Sequence, residues 1–211
     1  MSGSIAIVDY GLGNLGSVKN MLRKLGASSV ITAQPEELVQ ATALILPGVG
    51  HFDTGMKNLR SRGLEAVLST QVLEKKVPIL GICLGVQLFA RRSEEGAEPG
   101  LGWIAADVKR FTFPGGPQLP VPHMGWNEVE WTDSKLLEGA TRGETRFYFV
   151  HSYHVVPDDP EDVAATATYG RRFVAAVTRG NIMGAQFHPE KSHRFGMALL
   201  RNWLKLAGHA P

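Results

Sequence analysis

The pattern of apolar and polar positions changes halfway along the chain. In the first half, short apolar runs bounded by Gly or Pro have the length and composition of β-strands; they are residues 5–9, 29–33, 43–46 and 77–82. The segments between them place apolar side chains at helical spacing; these are residues 15–25, 35–40 and 55–73. Continuous apolar strands that alternate with amphipathic helices predict a parallel sheet covered by helices on both faces.

The second half favours antiparallel structure. Residues 92–125 are rich in Gly and Pro and predict loops with short strands. Closely spaced β runs follow at residues 128–131, 145–153, 163–169, 173–179 and 182–187, with a hairpin turn predicted at 179–181. A final helix over 193–206 has an apolar stripe of Phe195, Leu199, Leu200 and Trp203. We therefore predict one α/β domain over residues 1–211, an open and mostly parallel sheet with antiparallel additions.

Composition narrows the class of protein. The 211 residues carry a net charge of +2 and are 44% hydrophobic, which gives no electrostatic reason to expect nucleic-acid or membrane binding. A single cysteine, Cys83, excludes an internal disulfide and fits a reducing compartment. The N-terminus lacks the pattern of a signal peptide, and the longest apolar stretch, 77–90, is shorter than the roughly 20 residues that span a bilayer. We expect a cytoplasmic protein.

The segment IAIVDYGLGNLG at residues 5–16 contains G-x-G-x-x-G after a predicted strand. A dinucleotide-binding loop also needs an acidic residue about 20 positions further on, and residues 30–34 contain none. Two interpretations stay open at this point. The glycines either contact a nucleotide or form a tight turn between strand and helix, and the missing acid favours the turn.

Cys83 lies in the sequence GICLG, between a predicted strand and a helical pattern over 84–91. A sharp strand-to-helix turn exposes a nucleophile only if small residues flank it, as Gly81 and Gly85 do here. A helix N-terminus also stabilises a thiolate. The backbone N–H of Leu84 would then face the negative oxygen of a tetrahedral intermediate. The pattern predicts a nucleophilic cysteine.

A cysteine nucleophile needs a base and a group that orients the base. The sequence QFHPE offers both, because His188 follows an apolar strand and Glu190 lies two residues further on. Such a carboxylate can hold the imidazole tautomer, as in a catalytic triad. The histidines at positions 123, 151 and 154 have no acid so placed, and His51, which has Asp53 at this spacing, does not directly follow an apolar strand.

The sequence PGVG at residues 47–50 follows another predicted parallel strand. Ligands of open α/β sheets bind beyond the carboxyl ends of the strands. Because glycines leave backbone amides uncovered, an N–H from Gly48, Val49 or Gly50 can serve as a second oxyanion donor.

Together these elements resemble the class I (triad) glutamine amidotransferases. Further motifs resemble one branch of that class, the glutaminase subunits of imidazole glycerol phosphate synthases: DYGLGN, PGVGHF, HMGWN, FVHSY and QFHPEKS. The similarity spans essentially the whole chain. Two positions depart from the common pattern, since Val86 replaces a frequent Met and His154 a frequent aromatic residue.

The resemblance implies a flavodoxin-like fold, hydrolysis of glutamine to glutamate and ammonia, and no cofactor or metal. It also implies a heterodimer with a separate (β/α)8 cyclase subunit, which uses the ammonia to convert PRFAR to imidazole glycerol phosphate and AICAR in histidine biosynthesis. Implied substrate contacts are Gln87 and the backbone around His151 and Ser152. Implied contacts with the partner, or with the path of ammonia, are Tyr10, Gly11, Asn14, Trp126, Tyr148 and Lys191.

Three alternatives stay open. A glutaminase that serves another synthase, such as anthranilate or pyridoxal phosphate synthase, usually has P-G-G where this chain has PGVG. A cysteine hydrolase of the γ-glutamyl hydrolase type would work without a partner. A nucleotide-binding module would use Gly11 to Gly16 and would not depend on Cys83.

Overall fold

A nine-stranded mixed sheet organises the fold of the computed structural model, which describes residues 4–116, 118–132, 135–139 and 144–209. In chain order the strands of this sheet are β1 (Ser4–Val8), β2 (Ser29–Thr32), β3 (Ala41–Gly48), β4 (Ile79–Cys83), β7 (His123–Trp131), β8 (Arg146–His151), β10 (Val163–Tyr169), β11 (Arg171–Arg179) and β12 (Ile182–Ala185). A second, three-stranded sheet contains β5 (Arg92–Ser93), β6 (Ala106–Arg110) and β9 (Tyr153–Pro157).

The large sheet divides into a parallel and an antiparallel half. Its order is β2-β1-β3-β4-β12-β11-β10-β7-β8, and every pair from β2 to β12 is parallel whereas every pair beyond β12 is antiparallel. The predicted class, a parallel α/β sheet with antiparallel additions, is confirmed. The predicted hairpin is present as well, since β11 and β12 pair Arg179 with Ile182 across Gly180 and Asn181.

Helices cover both faces of the parallel half. They are α1 (Leu15–Lys24), α2 (Pro35–Val39), α3 (Phe52–Ser61), α4 (Leu64–Ser69), α5 (Leu84–Leu88) and α6 (His193–Leu206). Because side chains alternate along a strand, Ile5 and Ile7 of β1 pack in one core with Trp203 of α6, and Ala6 and Val8 pack in the other with Phe52 of α3. The prediction that helices cover both faces of the parallel sheet is confirmed.

The single helix predicted over 55–73 is wrong. The first helix ends at Ser61, and a new one begins at Leu64 after Gly63, which adopts a left-handed conformation with φ 69°. The second continues into a π-helical turn, Thr70–Glu74. Because the apolar spacing persists through the break, it gives no sign of the interruption that the left-handed glycine permits.

The single strand predicted over 145–153 is also wrong. The chain bends at Ser152, so β8 pairs with β7 in the large sheet while β9 pairs with β6 in the small one. The strand predicted at 128–131 begins earlier, at His123, and the helix predicted over 84–91 ends at Leu88. Of the loop-rich range 92–125, residue 117 lies outside the described part of the chain. In the described ranges, no helix combines the length and apolar character needed to cross a membrane.

Candidate active site

Cys83 sits at a strained turn where β4 passes directly into α5. Its φ and ψ are 54° and −107°, a conformation that costs a non-glycine residue free energy. The two flanking glycines make the turn possible. A Cβ added at Gly81 would lie 2.6 Å from the Phe89 ring, and one at Gly85 would lie 1.7 Å from the Leu46 carbonyl oxygen. The local geometry is that of a nucleophile elbow with sulfur in the reactive position.

Polar groups outside the His188 segment also contact the sulfur of Cys83. The Gln186 side chain donates a hydrogen bond to Sγ at 3.8 Å, and the Val150 carbonyl oxygen lies 4.0 Å away. Gln186 in turn accepts a hydrogen bond from Gln87 at 3.1 Å. The sulfur is therefore held by polar groups although only 6% of the Cys83 surface is exposed.

His188 and Glu190 form a buried pair. The imidazole Nδ1 lies 2.7 Å from Glu190 Oε1, and the two side chains are only 1% and 3% exposed. Pro189 begins a short 3-10 turn, Pro189–Lys191, which directs Glu190 back towards the ring of His188. The other ring nitrogen, Nε2, is buried and makes no hydrogen bond to any described residue.

The electrostatics of the pair favour a protonated imidazole. Burial acts to lower the pKa of His188, but the interaction with Cys83 and the hydrogen bond to Glu190 outweigh it and raise the pKa to about 9. A charged imidazole beside a sulfur stabilises a thiolate, which is the attacking form of cysteine. The three side chains thus form one coupled unit.

The PGVG segment lies next to the elbow. Gly48 ends β3 and pairs with Cys83 in the ladder between β3 and β4. Gly50 has φ 120°, which only glycine adopts without strain, and the Val49 side chain is 40% exposed. Residues 48–50 therefore lead from the strand beside Cys83 to a partly exposed segment.

A cavity of about 260 Å³ opens at Cys83. Among the predicted site residues, those that line it are Val49, Gly50, Cys83, Leu84, Gln87, His151 and Ser152. His188, Gly48 and the side chain of Glu190 are buried and do not belong to this lining. The cavity also includes residues that sequence reasoning missed: Glu95, Pro122, Val150 and Tyr153.

Glu95 is the most informative of the missed residues, because it is the acidic residue among those that line the cavity. It reaches the site through a loop that is anchored to the start of α3. Its carboxylate accepts a hydrogen bond from the Phe52 amide at 2.8 Å, and Asp53 accepts two from the amides of Ala97 and Glu98 at 3.1 and 3.0 Å. The sequence signal was faint, an acidic pair inside a glycine-rich loop.

His151 is a buried and neutral lining residue. Its Nδ1 donates to the Tyr153 carbonyl oxygen at 2.8 Å, and its Nε2 lies 3.3 Å from Nδ1 of His123. Burial lowers the pKa of His151 to about 3 and that of His123 to about 4. Within the described residues, no group of three or more His, Cys, Asp or Glu side chains is arranged to hold a metal ion.

The G-x-G-x-x-G loop is a tight turn between β1 and α1. Gly11 and Gly13 have φ of 86° and 109°, and the side chain of Asn14 caps α1 by accepting from the Ser17 amide at 3.4 Å. A Cβ at Gly13 would lie 3.1 Å from the Pro47 carbonyl oxygen. Gly11 and Asn14 are exposed, but Tyr10, predicted with them as a partner contact, is fully buried.

Three of the six residues predicted for docking or ammonia transfer, Trp126, Tyr148 and Lys191, lie beside the His188 segment. Trp126 is 47% exposed, stacks on His193 at 5.6 Å and meets Tyr148 edge-on at 6.3 Å. The Lys191 ammonium lies 5.5 Å from the centre of the Tyr148 ring. Ser192 joins this cluster to the site, because its hydroxyl donates to the His188 carbonyl oxygen at 2.6 Å and accepts from the Tyr148 amide at 3.0 Å.

Comparison with known proteins matches the chain to one family. The model of the family described as glutamine amidotransferase class-I matches residues 6–206. The chain belongs to the class I glutamine amidotransferases.

Curated relatives within this family are HisH subunits of imidazole glycerol phosphate synthase. The chain is 51% identical to imidazole glycerol phosphate synthase subunit HisH 2 of Pseudomonas aeruginosa, over 96% of this chain and 99% of that one. It is 48% identical to the protein of the same name from Methanococcus maripaludis, over 96% and 100%. The chain therefore belongs to the HisH branch of the class I glutamine amidotransferases.

Solved structures agree on the fold. A structure described as a glutamine amidotransferase superposes with a TM-score of 0.71 at 26% identity, covering 96% of this chain and 98% of that one. PurLQS from Thermotoga maritima superposes with a TM-score of 0.73 at 18% identity, covering 98% and 99%.

Proposed function

We propose that this amidotransferase hydrolyses L-glutamine at Cys83 and passes the ammonia to a partner subunit of imidazole glycerol phosphate synthase, in histidine biosynthesis. The observation that carries the proposal is the buried 2.7 Å pair of His188 and Glu190 beside a cysteine at an elbow, in a chain of the HisH branch. We propose further that the partner is a (β/α)8 cyclase and that the assembly is a heterodimer.

In the proposed mechanism, the Cys83 sulfur attacks the carboxamide carbon of glutamine. His188 already holds the proton of the thiol as an imidazolium, and it gives this proton to the leaving ammonia. Glu190 holds the imidazole and stabilises its positive charge. Water then attacks the γ-glutamyl thioester with His188 as base, which releases glutamate and restores the thiol.

The oxyanion of each tetrahedral intermediate needs two donors. Leu84 begins α5 directly after the nucleophile, so its amide is the first donor. We assign the second to the backbone of residues 48–50, with the Val49 amide as the leading candidate because Val49 lines the cavity and directly follows Gly48, which pairs with Cys83. If this loop presents its amide fully only in the complex, glutamine is not wasted when the acceptor is absent.

The rest of the cavity matches the substrate. Glu95 carries the charge that complements the α-ammonium group of glutamine, while Gln87, His151 and Ser152 offer amide, imidazole and backbone groups. For the partner we propose two contact areas. One is the cluster of Trp126, Tyr148 and Lys191, and the other is the exposed turn with Gly11 and Asn14.

The test compares nitrogen donors in the assembled complex. Cyclase subunit and PRFAR are mixed with wild type or Cys83→Ala, and the product is measured with glutamine or with an ammonium salt. We expect the variant to lose glutamine use and keep ammonium use. If Cys83→Ala still uses glutamine, the mechanism is wrong; if wild type hydrolyses glutamine equally fast without any partner, a free-standing hydrolase is the better assignment.

The partner assignment has its own measurement. Binding of the cyclase is followed by titration with wild type and Trp126→Ala, because a half-exposed tryptophan is the type of residue that dominates interface energies. We expect the variant to bind at least tenfold more weakly, with the cavity unchanged. Equal affinity would move the interface elsewhere on the molecule.

A further inference from the structure

The hydroxyl of Tyr10 is an unpaired polar group in the core. Tyr10 is 0% exposed, and its oxygen has no hydrogen-bond partner among the described residues. Leaving a buried hydroxyl unpaired costs about 1–3 kcal/mol, so such a group calls for a physical explanation. The backbone of Tyr10 is held in place, because Asn58 donates to its carbonyl oxygen at 2.9 Å.

The hydroxyl occupies the space that a side chain at position 48 would need. A Cβ added to Gly48 would lie 2.0 Å from the Tyr10 oxygen and 2.9 Å from the Leu84 Cβ. Tyr10 therefore lies against the backbone of residues 48–50, here called the oxyanion loop, on the buried side. Val49 borders the cavity on the open side. Gly48 is also the residue that pairs with Cys83.

We propose that Tyr10 is a positioning residue whose hydroxyl donates a hydrogen bond to the Gly48 carbonyl when the loop is competent for catalysis. This inference rests on the proposed glutaminase function. In a trans peptide the C=O and N–H groups point in opposite directions. A donor that holds the Gly48 carbonyl on the buried side therefore holds the Val49 N–H towards the cavity, where the oxyanion forms.

The chemistry of the hydroxyl fits a donor. Burial, with a smaller contribution from the nearby Cys83, raises the pKa of Tyr10 far above its usual range, so the group keeps its proton. The same turn connects to the surface, since the Gly13 backbone packs on Pro47 and Gly11 and Asn14 are exposed. A partner that presses on this turn acts on the loop through Tyr10.

The test removes the hydroxyl alone. For Tyr10→Phe in the complex that gives glutaminase activity, we expect kcat for glutamine to fall about 3- to 10-fold, the loss that one hydrogen bond produces. KM should not change. Alkylation of Cys83 by iodoacetamide should proceed at the wild-type rate, because that reaction forms no oxyanion. Tyr169→Phe is the matched control, since it loses a hydroxyl that donates to Pro120 outside the site.

A double-mutant cycle decides between positioning and general support of the fold. Val49→Pro removes the N–H that Tyr10 is proposed to orient, so adding Tyr10→Phe to it should cost no further activity. Unchanged kcat in Tyr10→Phe, an equal fall in kcat and alkylation, or a full additional loss in the double variant each overturns the inference. Absence of glutamine hydrolysis by the wild-type complex would instead overturn the proposed function.

Discussion

Replacing Val49 with proline tests the second oxyanion donor directly. Proline has no backbone N–H, and the extended conformation that it favours in the preceding residue suits Gly48 at the end of β3. Val49 is 40% exposed, so the effect of losing its partly buried side chain has to be measured separately. Val49→Ala removes most of the same side chain but keeps the N–H, which makes it the matched control.

The expected fall in kcat follows from the number of oxyanion donors that remain. Leu84 still donates from the start of α5, so Val49→Pro should lose one of two donors, which typically lowers kcat by about 10²–10³. Val49→Ala should stay within about threefold of wild type. The assay measures glutamate released from glutamine in the complex, beside iodoacetamide alkylation of Cys83 and the thermal midpoint of unfolding. If folded Val49→Pro matches Val49→Ala, the Val49 amide is not an oxyanion donor.

Two further predictions concern charge. Glu190→Gln keeps the shape of the buried pair but removes the negative charge. The pKa of His188 should therefore fall from about 9, and kcat should fall by about 10²–10⁴. A His188 titration by NMR that matches wild type would contradict this. Burial lowers the pKa of His154 to about 4, so the unfolded chain takes up its proton first as pH falls, and this residue lowers stability progressively from pH 6.5 to about 4. His154→Phe removes that loss. The difference in unfolding free energy between the variant and wild type, measured by urea unfolding, should therefore shift in favour of the variant by about 1–2 kcal/mol when the pH is lowered from 7.5 to 5. A difference that does not depend on pH would refute the titration argument.

The triad residues could be proposed from the sequence because their signals are local. Cys83 lies between glycines that the elbow needs on steric grounds, and Glu190 follows His188 closely enough for a short turn to join them. The alternating strands and helices of the first half likewise depend on nearby side chains. For that reason the parallel half of the sheet was predicted more fully than the connections within it.

The features that were missed depend on distant contacts. Glu95 enters the cavity only because its loop is tied to α3, more than 40 positions earlier in the chain. The bend at Ser152 sends two consecutive strands into different sheets, and no composition signal marks it. The resemblance implied that Tyr10 contacts the partner or the path of ammonia, but the side chain packs against Gly48 and is completely buried.

The order of strands at the centre of the sheet has a consequence for control of the enzyme. The neighbouring strands β3, β4 and β12 carry the oxyanion loop, the nucleophile and the base in turn, and the ladder between β4 and β12 fixes Ile82 opposite Ala185 just before each catalytic segment. Because His188 follows Ala185 by only three residues, the placement of Cys83 relative to His188 depends on this central ladder. Val49 and Gly50 follow β3 and lie outside the ladder that pairs Gly48 with Cys83, so evolution can set the timing of the reaction there without changing the spacing of the catalytic pair.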